Sequence, residues 1–191
     1  MSGAGATITV IDMYGKVVSL SPEKEGGTEM AISYSLDLVT TWTTAEVARS
    51  LTDAARPMRL FDATASVDTL LGDGALTEHG TWIRVTPCRP TPWGDPRIGG
   101  RVFTPTVSVA FRLGKHTDIP GQQDDMTRLT DGLLAQVPGD AVLHLDYEDV
   151  WLVRQDGVLA LSENSDAWPP NRLAALPGPY RRRTHEFTDW D

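Results

Sequence analysis

Cysteine is almost absent from this sequence. The 191 residues include one cysteine, Cys88, which excludes an internal disulfide and a zinc site built from several cysteines. Long apolar runs are also missing, and none approaches the roughly 20 residues that a membrane-spanning helix needs. The N-terminus lacks the charged start and apolar stretch of a signal peptide. These features predict a protein of a reducing compartment, and we expect it in the cytoplasm.

Basic residues are scarce relative to acidic ones. Lysine and arginine total 17 against 26 aspartate and glutamate residues, which gives a formal net charge of −9. The one basic run, Arg181–Arg183, is short and lies among acidic residues. Because nucleic-acid binding needs clustered cations, this balance argues against a nucleic-acid partner. An acidic surface favours a basic protein partner through electrostatic steering.

Motifs of catalysis and nucleotide binding are missing from the sequence. It contains no Gly-x-Ser-x-Gly, His-Glu-x-x-His or Cys-x-x-Cys pattern. The glycines at Gly72-x-Gly74 and Gly99-Gly100 lack the strand–turn–helix context of a phosphate-binding loop. The sequence therefore predicts a protein that is not an enzyme and that carries no cofactor.

Residues 1–29 differ from the rest of the chain and predict an N-terminal extension. Thr7–Asp12 and Lys16–Leu20 are typical of two short strands joined by a turn at Tyr14-Gly15. Residues 21–29 have the composition of a linker. The extension is either a leader that adds little, a hairpin that covers a sheet edge, or an arm that attaches an accessory protein to a larger bacterial assembly.

The first strand and helix of the main domain have clear signals. Ile32–Val39 alternates between apolar and polar residues, which predicts a half-buried strand with Ser33, Ser35 and Asp37 on its outer face. A helix is predicted to begin at Thr43 or Thr44, where Thr43 and Glu46 have the spacing of a capping box, and to continue through Arg56.

Residues 30–191 as a whole predict one α+β domain. Further elements are expected as strands at Thr81–Thr86, Thr104–Leu113, Val142–Tyr147, Val150–Arg154 and Val158–Leu161, with a helix at Gln122–Val137. The order gives two strand–helix–strand halves, which favour an antiparallel or mixed sheet with two main helices packed on one face. Pro87–Gly100 is rich in proline and glycine and predicts a long loop.

Several short motifs in the second half of the chain resemble the Sit-type immunity proteins, a family linked to swarming-inhibition toxins of contact-dependent bacterial competition. The similarity extends from about Met30 to about Phe187. The motifs are Phe103–Leu113, Gln122–Met126, Val137–Leu143, Trp151–Arg154 and Asp166–Pro170. The resemblance implies a cytoplasmic protein that neutralises a cognate toxin by direct binding.

Two clusters have both a chemical and a structural interpretation. His144, Asp146 and Glu148 alternate along a predicted strand, so they would share one face and bind a divalent metal or perform acid–base catalysis in a metal-dependent enzyme. The alternative is the solvent face of a half-exposed strand. Cys88 is either a nucleophile or a structural cysteine, and no histidine stands at an informative spacing from it.

Two other segments are candidates for partner binding. Asp124 and Asp125 are expected at the start of the second helix, where they either complement the helix dipole, act as catalytic acids or form a recognition surface. Trp93 lies in the Pro87–Gly100 loop and is either a binding hot spot or a loop anchor. The partner-binding residues predicted from these segments are Trp93, Asp95, Arg97, Asp124 and Asp125.

Overall fold

The computed structural model describes residues 8–11, 17–20, 32–89, 94–115 and 118–188. The chain divides into two compact units, Met1–Met30 and Ala31–Asp191. In the first unit, strands β1 (Ile8–Ile11) and β2 (Val17–Leu20) pair in an antiparallel manner. The predicted turn at Tyr14-Gly15 and the predicted linker lie outside the described residues, and the role of the extension stays a prediction.

The second unit combines helices and strands along the chain. Its helices are α1 (Thr44–Ala55), α2 (Val67–Leu71), α3 (Ile119–Leu134) and α4 (Pro170–Ala174), with a 3-10 turn at Arg56–Met58. Its strands are β3 (Ile32–Val39), β4 (Ala75–Leu76), β5 (Trp82–Pro87), β6 (Arg97–Ile98), β7 (Arg101–Val102), β8 (Val107–Leu113), β9 (Asp140–Leu145), β10 (Asp149–Gln155), β11 (Val158–Leu161), β12 (Tyr180–Arg182) and β13 (Phe187–Thr188).

One large sheet organises this unit. Its strand order is β12-β11-β10-β9-β3-β8-β5-β4, and each neighbouring pair is antiparallel except β11 and β12, which are parallel. The sequence prediction of an α+β fold with a mixed sheet is therefore confirmed. The strands predicted at Ile32–Val39 and Val158–Leu161 have the predicted limits.

The main core lies between the sheet and its helices. Leu36, Val109, Phe111 and Leu143 of the central strands are fully buried and belong to the same cluster as the apolar residues of α1 and α3. Alternation along each strand places these side chains on one face, which we call the helix face. The predicted capping box at the start of α1 is present, because the Thr43 amide donates to Glu46 Oε2 at 2.7 Å.

Helix α3 begins earlier than the sequence prediction of Gln122. It begins at Ile119 after Asp118, and Pro120 occupies its first turn, where a missing N–H costs no hydrogen bond. It ends at Leu134, where Arg154 donates to the carbonyls of Leu134 at 2.6 Å and Val137 at 2.7 Å. The partly buried guanidinium thus satisfies the Leu134 carbonyl, which the helix end leaves unpaired, and the Val137 carbonyl that follows it.

The opposite side of the sheet, which we call the second face, carries a smaller core. Strands β13, β6 and β7 form a three-stranded sheet in that order. Ile98 and Phe103 pack with Val142, Val150 and Val153 of β9 and β10 in this core. The segment from 94 to 103 therefore covers the part of the second face that β9 and β10 form.

The prediction of a continuous loop over Pro87–Gly100 is wrong at its end. Ile98 pairs with Arg101 across a two-residue turn. Gly99 and Gly100 both have positive φ, 58° and 79°, which a tight hairpin turn of this kind requires and glycine adopts at little cost. No helix in the described ranges is long and apolar enough to cross a membrane.

Candidate functional site

A cleft of about 240 Å³ opens beside the start of β10. Residues 147–151 line one part of it and residues 184–187 line another, together with Ser162 and Asn164. The cleft therefore lies where the connection from β9 to β10 meets the segment that leads into β13. We call it the β10 cleft.

The connection from β9 to β10 is a tight turn with unusual backbone angles. The Glu148 amide donates to the Leu145 carbonyl at 2.9 Å, and the two central residues, Asp146 and Tyr147, have positive φ of 46° and 61°. Positive φ at both central positions is the mark of a type I′ hairpin turn. Asp tolerates this conformation, whereas a Tyr is held there only by its surroundings.

This turn corrects the prediction of a strand over Val142–Tyr147. Strand β9 ends at Leu145, so the alternation that would place His144, Asp146 and Glu148 on one face stops before Asp146. His144 is buried, whereas Asp146 and Glu148 are exposed. Among the described residues, no group of three or more His, Cys, Asp or Glu side chains is arranged to hold a metal ion. The proposed metal site loses its geometric basis.

His144 also departs from the alternative prediction of a solvent-facing residue. Only 1% of its surface is exposed, because Phe187 of β13 packs edge-on against the imidazole at 5.2 Å between ring centroids. The ring of Tyr147 lies 4.2 Å from the imidazole on the same side of the sheet. His144 is thus part of the covered portion of the second face.

A buried polar cluster connects His144 to β3. His144 Nε2 lies 3.2 Å from Asp37 Oδ2, and the Tyr147 hydroxyl donates to the same oxygen at 3.3 Å. The Tyr147 amide donates to His144 Nδ1 at 3.1 Å. Because Nδ1 must offer a lone pair to that amide, Nε2 carries the hydrogen and donates to Asp37. The cluster fixes Tyr147 at the margin of the β10 cleft.

Replacing Asp37 with alanine is expected to lower the free energy of unfolding by about 2 kcal/mol, because the buried His144 ring and the partly buried Tyr147 hydroxyl lose their acceptor. Urea denaturation followed by circular dichroism measures the change. The matched control is Ser33→Ala, four positions before Asp37 on the same face of β3. It should change the free energy of unfolding by less than about 0.5 kcal/mol. Equal effects of the two substitutions would contradict this account of the cluster.

The β10 cleft is acidic at its rim. Glu148, Asp149 and Glu186 are exposed, and none of them forms an ion pair with another described residue. Burial, together with the charge of Arg183, lowers the pKa of His185 from its usual value. His185 is therefore neutral at pH 7 and does not offset the three carboxylates.

Asp124 and Asp125 lie in the second turn of α3 rather than its first, because the helix begins at Ile119. Asp124 Oδ1 accepts from Arg172 Nε at 2.6 Å, and Asp124 Oδ2 accepts from Asn171 at 2.9 Å. Asp125 is 7% exposed and lies 2.5 Å from His79 Nδ1. Both carboxylates therefore have intramolecular partners, and their role in partner binding stays a prediction.

The Asp124–Arg172 pair belongs to a buried network. Arg172 is 2% exposed and donates from Nη1 to the Ala167 carbonyl at 2.6 Å. Its guanidinium carbon lies 5.4 Å from the centroid of the Trp151 ring. This network joins three motifs that carry the family resemblance, namely those at 122–126, 151–154 and 166–170.

Two other predicted partner-binding residues, Asp95 and Arg97, belong to the 94–103 segment on the second face of the sheet, opposite Asp124 and Asp125. Asp95 accepts from the Thr104 hydroxyl at 2.6 Å, and Arg97 lies in β6 opposite Thr188 and Val102. Trp93 lies outside the described residues. The structure does not bring Asp95 and Arg97 into one patch with Asp124 and Asp125, and binding by the predicted residues stays a prediction.

Cys88 has the environment of a structural cysteine. Burial, together with the nearby charge of Asp37, raises the pKa of its thiol to about 12. A nucleophilic cysteine acts as the thiolate, so a group that stays protonated at neutral pH is unsuited to that role. This agrees with the structural interpretation of the residue.

Sequence patterns did not reveal the residues of the cleft or of the polar cluster beside it. Asp37 occupies an outward position in a regular alternation, which ordinarily indicates solvent. Tyr147 was expected inside a strand, and Glu186 and Phe187 fall in a polar C-terminal segment without periodicity. Asp146-Tyr147, the pair before Glu148, is only a weak turn signal in the sequence. Its proximity to residues 184–187 is visible only in the fold.

Comparison with known proteins gives a family. A family model described as SitI3-like matches residues 32–172, about three quarters of the chain. No curated protein and no solved structure matches it. The match begins at β3 and includes α1, α3 and most of the large sheet, which are the elements that the resemblance to Sit-type immunity proteins had indicated. The chain belongs to the SitI3-like family of Sit-type immunity proteins.

Proposed function

We propose that this protein neutralises a cognate bacterial toxin in the cytoplasm by binding it directly, without a catalytic step of its own. The observation that carries the proposal is the family match over residues 32–172. Binding as the mode of action is supported by the acidic balance of the chain, since the net charge is −9. Such a charge speeds association with a basic partner.

The chemistry of the described side chains supports binding over catalysis. The Cys88 thiol stays protonated at neutral pH, and both ring nitrogens of His144 are engaged by Asp37 and Tyr147. His79 is paired with Asp125. In the described ranges, these groups do not form the nucleophile–base pair or metal cluster that a toxin-degrading enzyme would need.

The test is co-expression with the proteins encoded beside its gene. Cells that express a toxic neighbour should grow when this protein is present and stop growing when it is absent. The purified pair should form a stable complex whose association rate falls as salt is raised from 50 to 500 mM, on the order of tenfold, because exposed charges are screened. Toxicity that persists without any complex would refute the proposal.

A second arm excludes a catalytic mode of action. The toxin recovered from the complex in denaturant should have an unchanged mass and should regain its activity after refolding. A covalently altered or cleaved toxin would show that the protein acts as an enzyme.

A further inference from the structure

We propose that the β10 cleft is a recognition pocket for an arginine side chain of a protein partner. This inference deepens the proposed function and rests on it for the identity of the partner. Binding of the side chain itself is a separate property of the cleft. It can be measured without any toxin.

The size of the cleft suits a single long side chain. Its volume is about 240 Å³, which corresponds to roughly eight water molecules at about 30 Å³ each. An arginine side chain fills such a space, whereas a helix or strand does not. The cleft therefore fits one protruding residue rather than a segment of secondary structure.

The charge of the cleft selects a cation. The carboxylates of Glu148, Asp149 and Glu186 reach its rim from both walls and have no ion-pair partner among the described residues. Arg183, whose charge affects the pKa of His185, is exposed and does not line the cleft. The balance within the lining is thus three negative charges and no positive one. A guanidinium can donate two parallel hydrogen bonds to one carboxylate.

The aromatic residues of the cleft favour arginine over other cations. Tyr147 and Phe187 are half-buried, line the cleft and lie 5.0 Å apart between ring centroids. A planar guanidinium stacks on aromatic faces better than an ammonium group does. The molecule already uses this contact twice, with Arg172 over Trp151 at 5.4 Å and Arg112 over Trp82 at 4.8 Å.

The wall that carries Tyr147 is fixed before any partner arrives. Its hydroxyl bonds to Asp37, its amide bonds to His144, and its backbone is held at a φ of 61°. Glu148 follows directly in the same turn. A pocket that is already formed loses little conformational entropy on binding, which favours affinity.

The first test uses a small probe. N-acetyl-arginine methylamide is titrated into isotope-labelled protein, and backbone amide signals are followed by NMR. We expect saturable shifts at residues 147–151 and 184–187 with a millimolar dissociation constant. The citrulline analogue, which has nearly the same shape without the charge, should bind at least tenfold more weakly, and the lysine analogue should fall between the two. Equal shifts with citrulline, or shifts located elsewhere, would overturn the proposal.

The second test removes the charges of the rim. The triple variant Glu148→Gln, Asp149→Asn and Glu186→Gln should bind the arginine probe at least tenfold more weakly. The matched control replaces the exposed acids Asp68, Asp73 and Glu78 with their amides and changes the net charge equally. Its affinity for the probe should stay within twofold of the original protein. An equal loss in both variants would show that net charge, rather than the cleft, attracts the probe.

The same two variants separate the inference from the proposed function. If the original protein binds a toxin, the rim variant should bind it at least tenfold more weakly than the control variant does. Unchanged toxin binding by the rim variant would overturn the cleft as the partner's site while leaving toxin neutralisation intact. If no toxin binds but the probe binds the cleft, arginine binding by the cleft is supported and the proposed toxin neutralisation is refuted.

Discussion

Replacing Arg172 with alanine is expected to lower the free energy of unfolding by about 3–5 kcal/mol. The side chain is 2% exposed, and its removal leaves Asp124 without the guanidinium at 2.6 Å and the Ala167 carbonyl without its donor. It also removes the cation above Trp151. Denaturation in urea, monitored by tryptophan fluorescence and circular dichroism, measures the loss.

Two comparisons make this result specific. Arg56→Ala removes a surface pair with Asp53, in which 74% of the arginine side chain is exposed, and should cost no more than about 1 kcal/mol. The double variant Arg172→Met and Asp124→Leu should recover much of the loss, because it leaves no unpaired buried charge. If Arg172→Ala costs no more than Arg56→Ala, the buried network does not hold α4 on α3.

Gly139→Ala is expected to destabilise the domain by about 4 kcal/mol. Gly139 follows α3 and has a φ of 104°, a conformation that costs a residue with a side chain about 1–3 kcal/mol. The added Cβ would also overlap the backbone carbonyl oxygen of Val39, and such overpacking costs about 1–3 kcal/mol. Backbone atoms at the end of β3 cannot move aside as a flexible side chain can.

The chain offers a control that separates the two contributions. Gly157 also has a positive φ, 77°, but an added Cβ would meet no atom within 4 Å. Gly157→Ala should therefore cost only the conformational part, about 1–2 kcal/mol. Thermal and urea denaturation of both variants give the comparison. If the two variants lose similar amounts of unfolding free energy, the contact between the added Cβ and Val39 does not contribute to the destabilisation.

The sequence predicted the helix face well because its signals are local. Strands β3 and β11 had clean alternation and clear limits, and Thr43 with Glu46 marked the start of α1. The start of α3 lies three residues before the predicted Gln122 because Pro120, which usually indicates a turn, is also common in the first turn of a helix.

The second face could not be predicted because distant segments cover it. Asp37 and His144 occupy positions that alternation assigns to solvent. In the fold, however, Phe187 packs on His144, and the 94–103 segment packs on Val142, the partner of Asp37 in the sheet. The end of β9 at Leu145 depends on how Tyr147 bonds to Asp37, 110 residues earlier in the chain. Contacts of this range leave no periodic trace, so the cleft was visible only in the fold.

The two edges of the large sheet have a consequence for aggregation. One edge is β4, which has only two residues. The other is β12, where Arg181 and Arg182 are exposed and Arg183 follows. Short strands and clustered charges at an edge discourage another chain from adding a strand. The basic run at 181–183 is therefore expected to discourage copies of this sheet from pairing edge to edge. A protein partner is accordingly expected to bind through side chains rather than by extending the sheet.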